Sequence, residues 1–232
     1  MTDLYIIRHC EAEGNVKRFF QGVSDCDISE CGKKQLELLA ERFKSIEIDA
    51  IYSSPLKRAY RTAEAVNKYH NLPIKINEKL IEINGGEIEG IGWEDFPITR
   101  PVLEYRWNME PHLFHPEGGE AMSSVYKRCW EAVQEIVSEN RDKKIAITSH
   151  GCTIRNIMCH AQGKPIEELN SVDWADNTGI FLLRFEDIGK LPQIIMFNDY
   201  SHLTPDCLPA KSRIRRIIME KPDELKREGL DK

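Results

Sequence analysis

Residues 4–15 read LYIIRHCEAEGN, and this stretch shows the pattern from which the fold can be predicted. A short apolar run, typical of a buried β-strand, ends at an arginine, a histidine and a cysteine before the chain turns acidic. The same order of strand, polar turn and helix returns at residues 48–70, IDAIYSSPLKRAYRTAEAVNKYH, and at residues 143–163, KKIAITSHGCTIRNIMCHAQG. This alternation predicts an α/β three-layer sandwich, with a mostly parallel central sheet flanked by helices.

Local signals place the elements of the two later units. In the second unit, Ile48 to Tyr52 is the predicted strand, Ser54 the predicted N-cap of the next helix, and Pro55 its first residue. In the third unit, Ile145 to Thr148 is the predicted strand and Thr153 to Ala161 the predicted helix. Apolar spacing predicts further helices over residues 29–46 and 121–140, and an antiparallel strand pair over residues 179–187 and 193–199.

Length and composition fit a soluble chain with one sizeable core. The chain has 232 residues, of which 41% are hydrophobic and 30% charged, and its formal net charge is −6. We expect a single domain over residues 1–232, with an irregular insert at about 85–120 that caps the site and a C-terminal tail from about residue 205. The acidic balance argues against a nucleic-acid partner, and no stretch is long and apolar enough for a membrane partner. Seven cysteines and no visible signal peptide predict reduced thiols in a cytoplasmic protein.

The polar turns carry the chemistry, because ligands of open α/β sheets bind outside the carboxyl ends of the strands. If the three strands are neighbours, Arg8 and His9 meet Arg58 and His150 beside helix N-termini. Taken singly, such an arginine is most often a surface ion pair, and such a histidine a hydrogen-bonded core residue. Together they would repel one another unless an anion lay between them, and arginine forks match phosphate oxygens. The sequence therefore predicts a phosphoryl pocket.

The ordered motifs resemble the histidine phosphatase superfamily, also called the phosphoglycerate mutase-like family. RHCEAEGN at residues 8–15 resembles its RHG signature, and IYSSPLKRAYRTAE and ITSHGCTIR resemble its second motif and its second histidine motif. QGVSDCDISECGKKQ, LIEINGGEIEG, HPEGGE and NDYSHL match further family stretches, so that the resemblance runs from about residue 4 to residue 203. It implies the phosphoglycerate mutase-like fold.

The resemblance also implies a role for individual residues. His9 matches the nucleophile that becomes a phosphohistidine, and Glu82 matches the general acid or base. Arg8, Arg58 and His150 match the groups that clamp the phosphoryl group, with His150 donating if it is protonated. The implied phosphate contacts are completed by Asn15, Gln21, Gly22 and Gly151. Because arginines supply the positive charge, we expect neither a metal nor a cofactor.

Three kinds of function remain open. We favour metal-independent hydrolysis of a small phosphorylated metabolite, because residues 91–120 lack the adjacent arginine pair and the proline-rich run of glycolytic mutases. The alternative is a phosphoglycerate mutase or a bisphosphoglycerate-processing phosphotransferase. A non-catalytic binding module of the same fold is the third hypothesis, and the complete set of site residues argues against it.

Departures from the family pattern concern mainly two thiols. Cys10 replaces the glycine of the signature, and Cys152 replaces a small residue after His150 and Gly151. The sequence also departs from the family pattern at Ala12, Gly14, Phe19 and Ala121. The two thiols could form a zinc site with His9 and His150, or respond to oxidation because nearby arginines lower a thiol pKa. The favoured interpretation is that they are small apolar fillers.

The substrate and the partners are less defined by the sequence. Aromatic and histidine side chains of the insert could line the mouth of the site or form a small core of their own: Trp93, Phe96, Trp107, His112, Phe114 and His115. Arg100 and Arg106 could meet a second acidic group of a substrate or lie in solvent. The tail has a basic cluster at Lys211, Arg213, Arg215 and Arg216. A small phosphate ester is the expected partner, and the chain is expected to be a monomer or a homodimer.

Overall fold

The computed structural model describes residues 1–187 and 189–208. These residues form a sheet of β1 (Thr2–Arg8), β2 (Ala50–Ser53), β3 (Ile74–Ile76), β4 (Lys144–Ser149), β5 (Ile180–Phe185) and β6 (Gln193–Asp199). The strand order is β3-β2-β4-β1-β5-β6. The first four strands in that order run parallel, and β5 is antiparallel to both of its neighbours. The predicted, mostly parallel sheet and the antiparallel pair at its end are confirmed.

Helices cover both faces of the sheet. They are α1 (Glu13–Lys17), α2 (Glu30–Phe43), α3 (Lys57–Asn67), α4 (Phe96–Thr99), α5 (Pro101–Met109), α6 (Met122–Glu139) and α7 (Gly151–Ala161). On one face, Leu39 and Phe43 of α2 and Val66 of α3 join Ile7 and Ile51 of the sheet in a buried apolar cluster. On the other face, α6 and α7 pack in a larger cluster with the alternate residues of β1 and β4. The three-layer α/β architecture is therefore confirmed.

The predicted start of the helix after β2 is wrong. Ser54 does not cap this helix, and Pro55 is not its first residue, because α3 begins at Lys57 with Leu56 in the N-cap position. The buried Ser54 hydroxyl instead lies 2.6 Å from Nε2 of His150, on the turn after β4. A buried polar side chain needs a hydrogen-bond partner, and the neighbouring strand end supplies one that the local sequence cannot reveal.

The insert at residues 85–120 is more regular than predicted. It contains the short helices α4 and α5, together with 3₁₀ turns at Gly86–Ile88 and Pro111–Leu113. Both helices have a proline in their first turn, and α5 buries only Trp107. Without an apolar stripe of helical period, such segments give little signal in the sequence.

The C-terminal tail lies only partly within the described residues. Its first turn, Pro205–Cys207, is held to α2 because Gln35 donates a 2.9 Å hydrogen bond to the carbonyl oxygen of Cys207. Residues 209–232, which carry the basic cluster at Lys211, Arg213, Arg215 and Arg216, are outside the described part of the chain. The single-domain organisation thus stays a prediction. Within the described residues, no helix is both long and apolar enough to cross a membrane.

Removal of the Phe43 ring should destabilise the layer between α2 and the sheet. Phe43 is fully buried, and its ring meets that of Tyr5 edge to face at 5.8 Å between centroids. We expect Phe43→Ala to lower the free energy of unfolding in urea by about 3–5 kcal/mol, because a buried cavity remains. The control Ile98→Ala, at a side chain 78% exposed, should change it by less than about 0.5 kcal/mol. Equal effects of the two variants would contradict the packing described.

Candidate active site

The strand order brings the three predicted polar turns together. Arg8 at the end of β1 is in register with Ser149 at the end of β4, and Ser53 at the end of β2 is in register with Thr148. A cavity of about 370 Å³ opens at this edge of the sheet. Of the predicted site residues, it is lined by Arg8, His9, Asn15, Gln21, Gly22, Arg58, Glu82 and Gly151. His150 is the exception, since it is fully buried behind the cavity wall.

The His9 ring is held in one tautomer. Its Nδ1 lies 2.6 Å from the carbonyl oxygen of Cys10, and because a carbonyl can only accept, Nδ1 carries the proton. The lone pair of the neutral ring is therefore on Nε2. Burial holds the pKa of His9 well below its usual value, and the positive charges of Arg58 and Arg8 lower it further. The ring is thus neutral and available for attack on an electrophile.

Two arginines flank this ring, of which Arg58 is buried and Arg8 partly buried. Arg58 donates to the carbonyl oxygens of Ser24 and Gly22 at 2.6 and 2.7 Å, and Arg8 donates to that of Ala175 at 2.5 Å. In both side chains the buried Nε has no hydrogen-bond partner among the described residues. Burial lowers the pKa of each guanidinium, and the charge of Glu82 opposes that shift. Unsatisfied buried donors on two cations fit a site that takes an anion.

His150 lies 5.1 Å from His9 between ring centroids. Burial lowers its pKa well below the usual value, and the charges of Arg58 and Arg8 lower it further, so the ring is neutral in the free protein and the condition under which we expect it to donate is not met there. Ser54 Oγ accepts a long 3.4 Å hydrogen bond from the Leu56 N–H and also bonds to Nε2 of His150. A hydroxyl can donate to this nitrogen or accept from it, and the other ring nitrogen, Nδ1, is buried and has no partner in the described structure.

Glu82 lies at the N-terminus of α7. Its carboxylate accepts hydrogen bonds from the backbone N–H groups of Cys152, Thr153 and Ile83 at 3.0, 3.1 and 2.9 Å. The N-cap residue of this helix, His150, makes no side-chain capping bond, so Glu82 satisfies the free N–H groups instead. The same carboxylate lines the cavity, where it can exchange a proton with a bound group.

Two amide side chains complete the polar part of the cavity. Asn15 Oδ1 accepts from the Ala12 N–H at 3.0 Å, which leaves its NH₂ group free to donate. Gln21 Oε1 is buried without a partner among the described residues. A Cβ at Gly14 would lie 2.3 Å from Cγ of Gln21, so the departure from the family pattern at Gly14 leaves the space that Gln21 occupies.

The outer wall of the cavity is aromatic, and the interpretation of the insert as a mouth holds for Trp93 and Trp107. The aromatic lining consists of Phe19, Phe20, Trp93, Trp107 and Trp174. Trp107, Phe96 and Phe114 belong to the large buried cluster that α6 and α7 form with the sheet, so these rings do not make a small core of their own. His112, His115, Arg100 and Arg106 do not line the cavity, and Arg100 pairs with Glu87 at 2.6 Å.

Sequence reasoning missed Trp174. It lies in an irregular segment after α7, outside every motif, and reaches the cavity with the Arg155 guanidinium 4.6 Å from its ring centroid. A lone tryptophan in such a segment gives no signal of a site role in the sequence.

The two unusual thiols are packed rather than activated. Cys10 is fully buried, its N–H donates to Thr62 Oγ1 at 3.0 Å, and burial raises the pKa of its thiol to about 12. Burial likewise raises the pKa of Cys152, whose sulfur lies 3.5 Å from that of Met122. The charge of Arg58 does lower the pKa of Cys10, but burial outweighs it, which argues against a redox-sensitive thiol and favours the interpretation as an apolar filler. In the described residues no group of three or more metal-ligating side chains is placed to hold an ion.

Comparison with known proteins places the chain in a family. The family model of the histidine phosphatase superfamily (branch 1) matches residues 4–199. Phosphoserine phosphatase 1 of Hydrogenobacter thermophilus is 34% identical over 203 residues, which are 88% of this chain and 95% of that protein. Phosphoglycerate mutase-like protein 4 of Arabidopsis thaliana is 29% identical over 87% of each chain.

A solved structure agrees with these relatives. Bacillus stearothermophilus YhfR superposes with a TM-score of 0.82 and 31% identity, covering 87% of this chain and 99% of that one. Phosphatases and mutase-like proteins are both present among the relatives, which confirms the prediction of an enzyme of the phosphatase type and is consistent with the mutase alternative. The chain belongs to the histidine phosphatase superfamily, branch 1.

Proposed function

We propose that the protein hydrolyses small phosphomonoesters by way of a phosphohistidine on Nε2 of His9. The observation that carries this proposal is the neutral His9 ring, with its proton fixed on Nδ1, in a cavity that is also lined by two arginines whose buried Nε donors are unsatisfied. A neutral imidazole is a good nucleophile toward phosphorus, and phosphoryl transfer needs position and positive charge more than further covalent chemistry. Arg8 and Arg58 supply that charge without a metal.

The reaction would proceed in two balanced steps. Nε2 of His9 forms a P–N bond while the bond from phosphorus to the ester oxygen breaks, and protonated Glu82 gives its proton to the departing oxygen. Glu82 then takes a proton from water, whose oxygen forms a new P–O bond as the P–N bond breaks. Phosphate leaves, and His9 and Glu82 return to their starting forms. In the substrate complex, the NH₂ group of Asn15 is a further donor for phosphoryl oxygens. A clamping role of His150 stays a prediction, because its ring lies behind the cavity wall.

The cavity supports hydrolysis of a monoester over mutase chemistry. Among the described lining residues, the cations are Arg8 and Arg58, and the outer wall is aromatic. The second phosphate of a bisphosphorylated intermediate would therefore face aromatic rings instead of a cation. A flat or apolar leaving group suits this wall, and phosphoserine is a second candidate because a relative carries that substrate in its name. A monomer or homodimer in the cytoplasm stays a prediction.

Loss of the nucleophile should abolish turnover. We expect His9→Ala to reduce phosphate release from 4-nitrophenyl phosphate by at least about a thousandfold, because no other group can form the intermediate. His115→Ala is the matched control, since His115 is exposed and does not line the cavity. Turnover by His9→Ala at the rate of the control would refute the assignment of the nucleophile.

The protonation state of His9 can be observed directly by ¹⁵N NMR. Because the pKa of His9 is well below 6.5 in the folded protein, its ring should stay neutral, with the proton on Nδ1, as the pH falls from about 7.5 to about 6. In the urea-unfolded chain the same ring should titrate near its ordinary value of about 6.5. Below that pH the unfolded state binds protons that the folded state does not, so the free energy of unfolding should fall. A doubly protonated ring in the folded protein at about pH 6 would contradict the geometry.

Product analysis separates the phosphatase from the mutase. We expect net release of phosphate from 4-nitrophenyl phosphate, phosphoserine and 3-phosphoglycerate, with no accumulation of 2-phosphoglycerate, because water reaches the phosphohistidine in an open cavity. Isomerisation of 3-phosphoglycerate without net phosphate release would favour the mutase. Binding of these esters by a protein that releases no phosphate would favour the non-catalytic module.

A further inference from the structure

The Arg58 guanidinium is positioned by an irregular segment of the chain, residues 21–24. Arg58 is 1% exposed and donates to the backbone oxygens of Ser24 and Gly22. Residues 21–24 lie in no helix or strand, so no regular backbone hydrogen bonding fixes these two oxygens. The position of the cation therefore depends on whatever holds this segment in place.

The carboxylate of Glu89 holds the segment. It accepts hydrogen bonds from the Val23 N–H at 2.9 Å and from the Ser24 hydroxyl at 2.5 Å. At 3.2 Å it shares the Ser24 N–H with the carbonyl oxygen of Gln21, which lies closer, at 2.8 Å. It also accepts from the N–H of Gly85 at 2.8 Å, which ties the segment to the turn that follows Glu82. Four donors thus converge on one side chain whose negative charge strengthens each bond.

The local sequence is compatible with this close approach only because residue 22 is a glycine. Gly22 has φ of +45°, and a Cβ there would lie 1.8 Å from Oε1 of Glu89. Glu89 does not itself line the cavity, so it cannot touch a bound phosphoryl group. Glu89 can therefore affect the site only indirectly, through the Gly22 and Ser24 carbonyl oxygens that accept hydrogen bonds from Arg58.

We propose that Glu89 is a positioning residue for the phosphoryl clamp: it fixes residues 22–24 so that their carbonyl oxygens hold the Arg58 guanidinium against the His9 ring. This inference rests on the proposed function and assigns a role to a second carboxylate of the LIEINGGEIEG motif, distinct from that of Glu82. Loss of one acceptor would let the segment move and the clamp with it. A displacement of about 1 Å is enough to cost about a hundredfold in rate.

The test compares Glu89→Gln with Glu87→Gln. An NH₂ group that faces Val23 and Gly85 leaves two N–H donors without their acceptor. An NH₂ group that faces Ser24 reverses the hydrogen bond of the hydroxyl and leaves the Ser24 N–H with the Gln21 carbonyl oxygen alone. The negative charge is lost in both orientations. We expect kcat/KM for 4-nitrophenyl phosphate to fall by about 10- to 100-fold and inorganic phosphate to bind more weakly. Glu87→Gln, at an exposed carboxylate of the same motif that pairs with Arg100, should retain wild-type kcat/KM. Wild-type kcat/KM in folded Glu89→Gln would overturn the proposal.

A double-mutant cycle with Arg58→Lys separates positioning from a general structural effect. If Glu89 acts through Arg58, then Glu89→Gln should cost less than about threefold in the Arg58→Lys background. An equal loss in both backgrounds would show that Glu89 acts by another route and would overturn the proposal. If Glu89→Gln fails to fold, Ser24→Ala takes its place in the same cycle, because it removes one hydroxyl donor to Glu89. We expect Ser24→Ala to lower kcat/KM by about tenfold or less, and we expect this loss to be suppressed in the Arg58→Lys background.

Failure of the positioning role can be distinguished from failure of the proposed function. An inactive wild type would refute phosphomonoester hydrolysis. The positioning role could then still be tested by comparing how tightly Glu89→Gln and Glu87→Gln bind inorganic phosphate. If the wild type is active and Glu89→Gln binds phosphate as tightly as the wild type does, only the positioning role is refuted.

Discussion

Two arginine side chains, Arg58 buried and Arg8 partly buried, lie at one edge of the sheet, and much of the surrounding structure compensates for their charge. Transfer of a cation from water into a protein interior costs several kcal/mol unless hydrogen bonds and opposite charge replace the lost solvation. Arg8 and Arg58 obtain part of this from the backbone oxygens of irregular segments and part from the charge of Glu82. The Nε donors of both are without a partner among the described residues, and they fit the anion of the proposed phosphoryl pocket.

The same two charges decide the state of the histidines. His9 and His150 are buried beside cations, and both effects favour the neutral imidazole. For His9 the carbonyl oxygen of Cys10 then selects the tautomer, which leaves the lone pair on Nε2, the proposed nucleophile. In His150 the Nε2 atom is hydrogen-bonded to the Ser54 hydroxyl, and that serine does not cap α3.

The carboxylates of one motif serve the two sides of the cavity. Glu82 accepts N–H groups at the start of α7 and carries the exchangeable proton in the proposed reaction. Glu89 accepts N–H groups of residues 23 and 24 on the opposite side, next to the carbonyl oxygens that hold Arg58. Each carboxylate thus accepts hydrogen bonds from backbone N–H groups that no helix or strand pairs.

The sequence by itself determined the layers of the fold and most of the cavity lining. Apolar periodicity and polar strand ends are local properties, and they suffice to predict that Arg8, His9 and Arg58 reach one edge of a mostly parallel sheet. The helical character of the insert, the place of Trp174 and the contact of Ser54 with His150 were decided by the tertiary structure. These features depend on which distant segments become neighbours, and on how buried polar groups share the available partners. The packing of Cys10 belongs to the same class, because burial outweighs the arginine charge that a sequence motif suggests. The neutral state of His150 belongs there too, since burial and the two arginine charges together decide it.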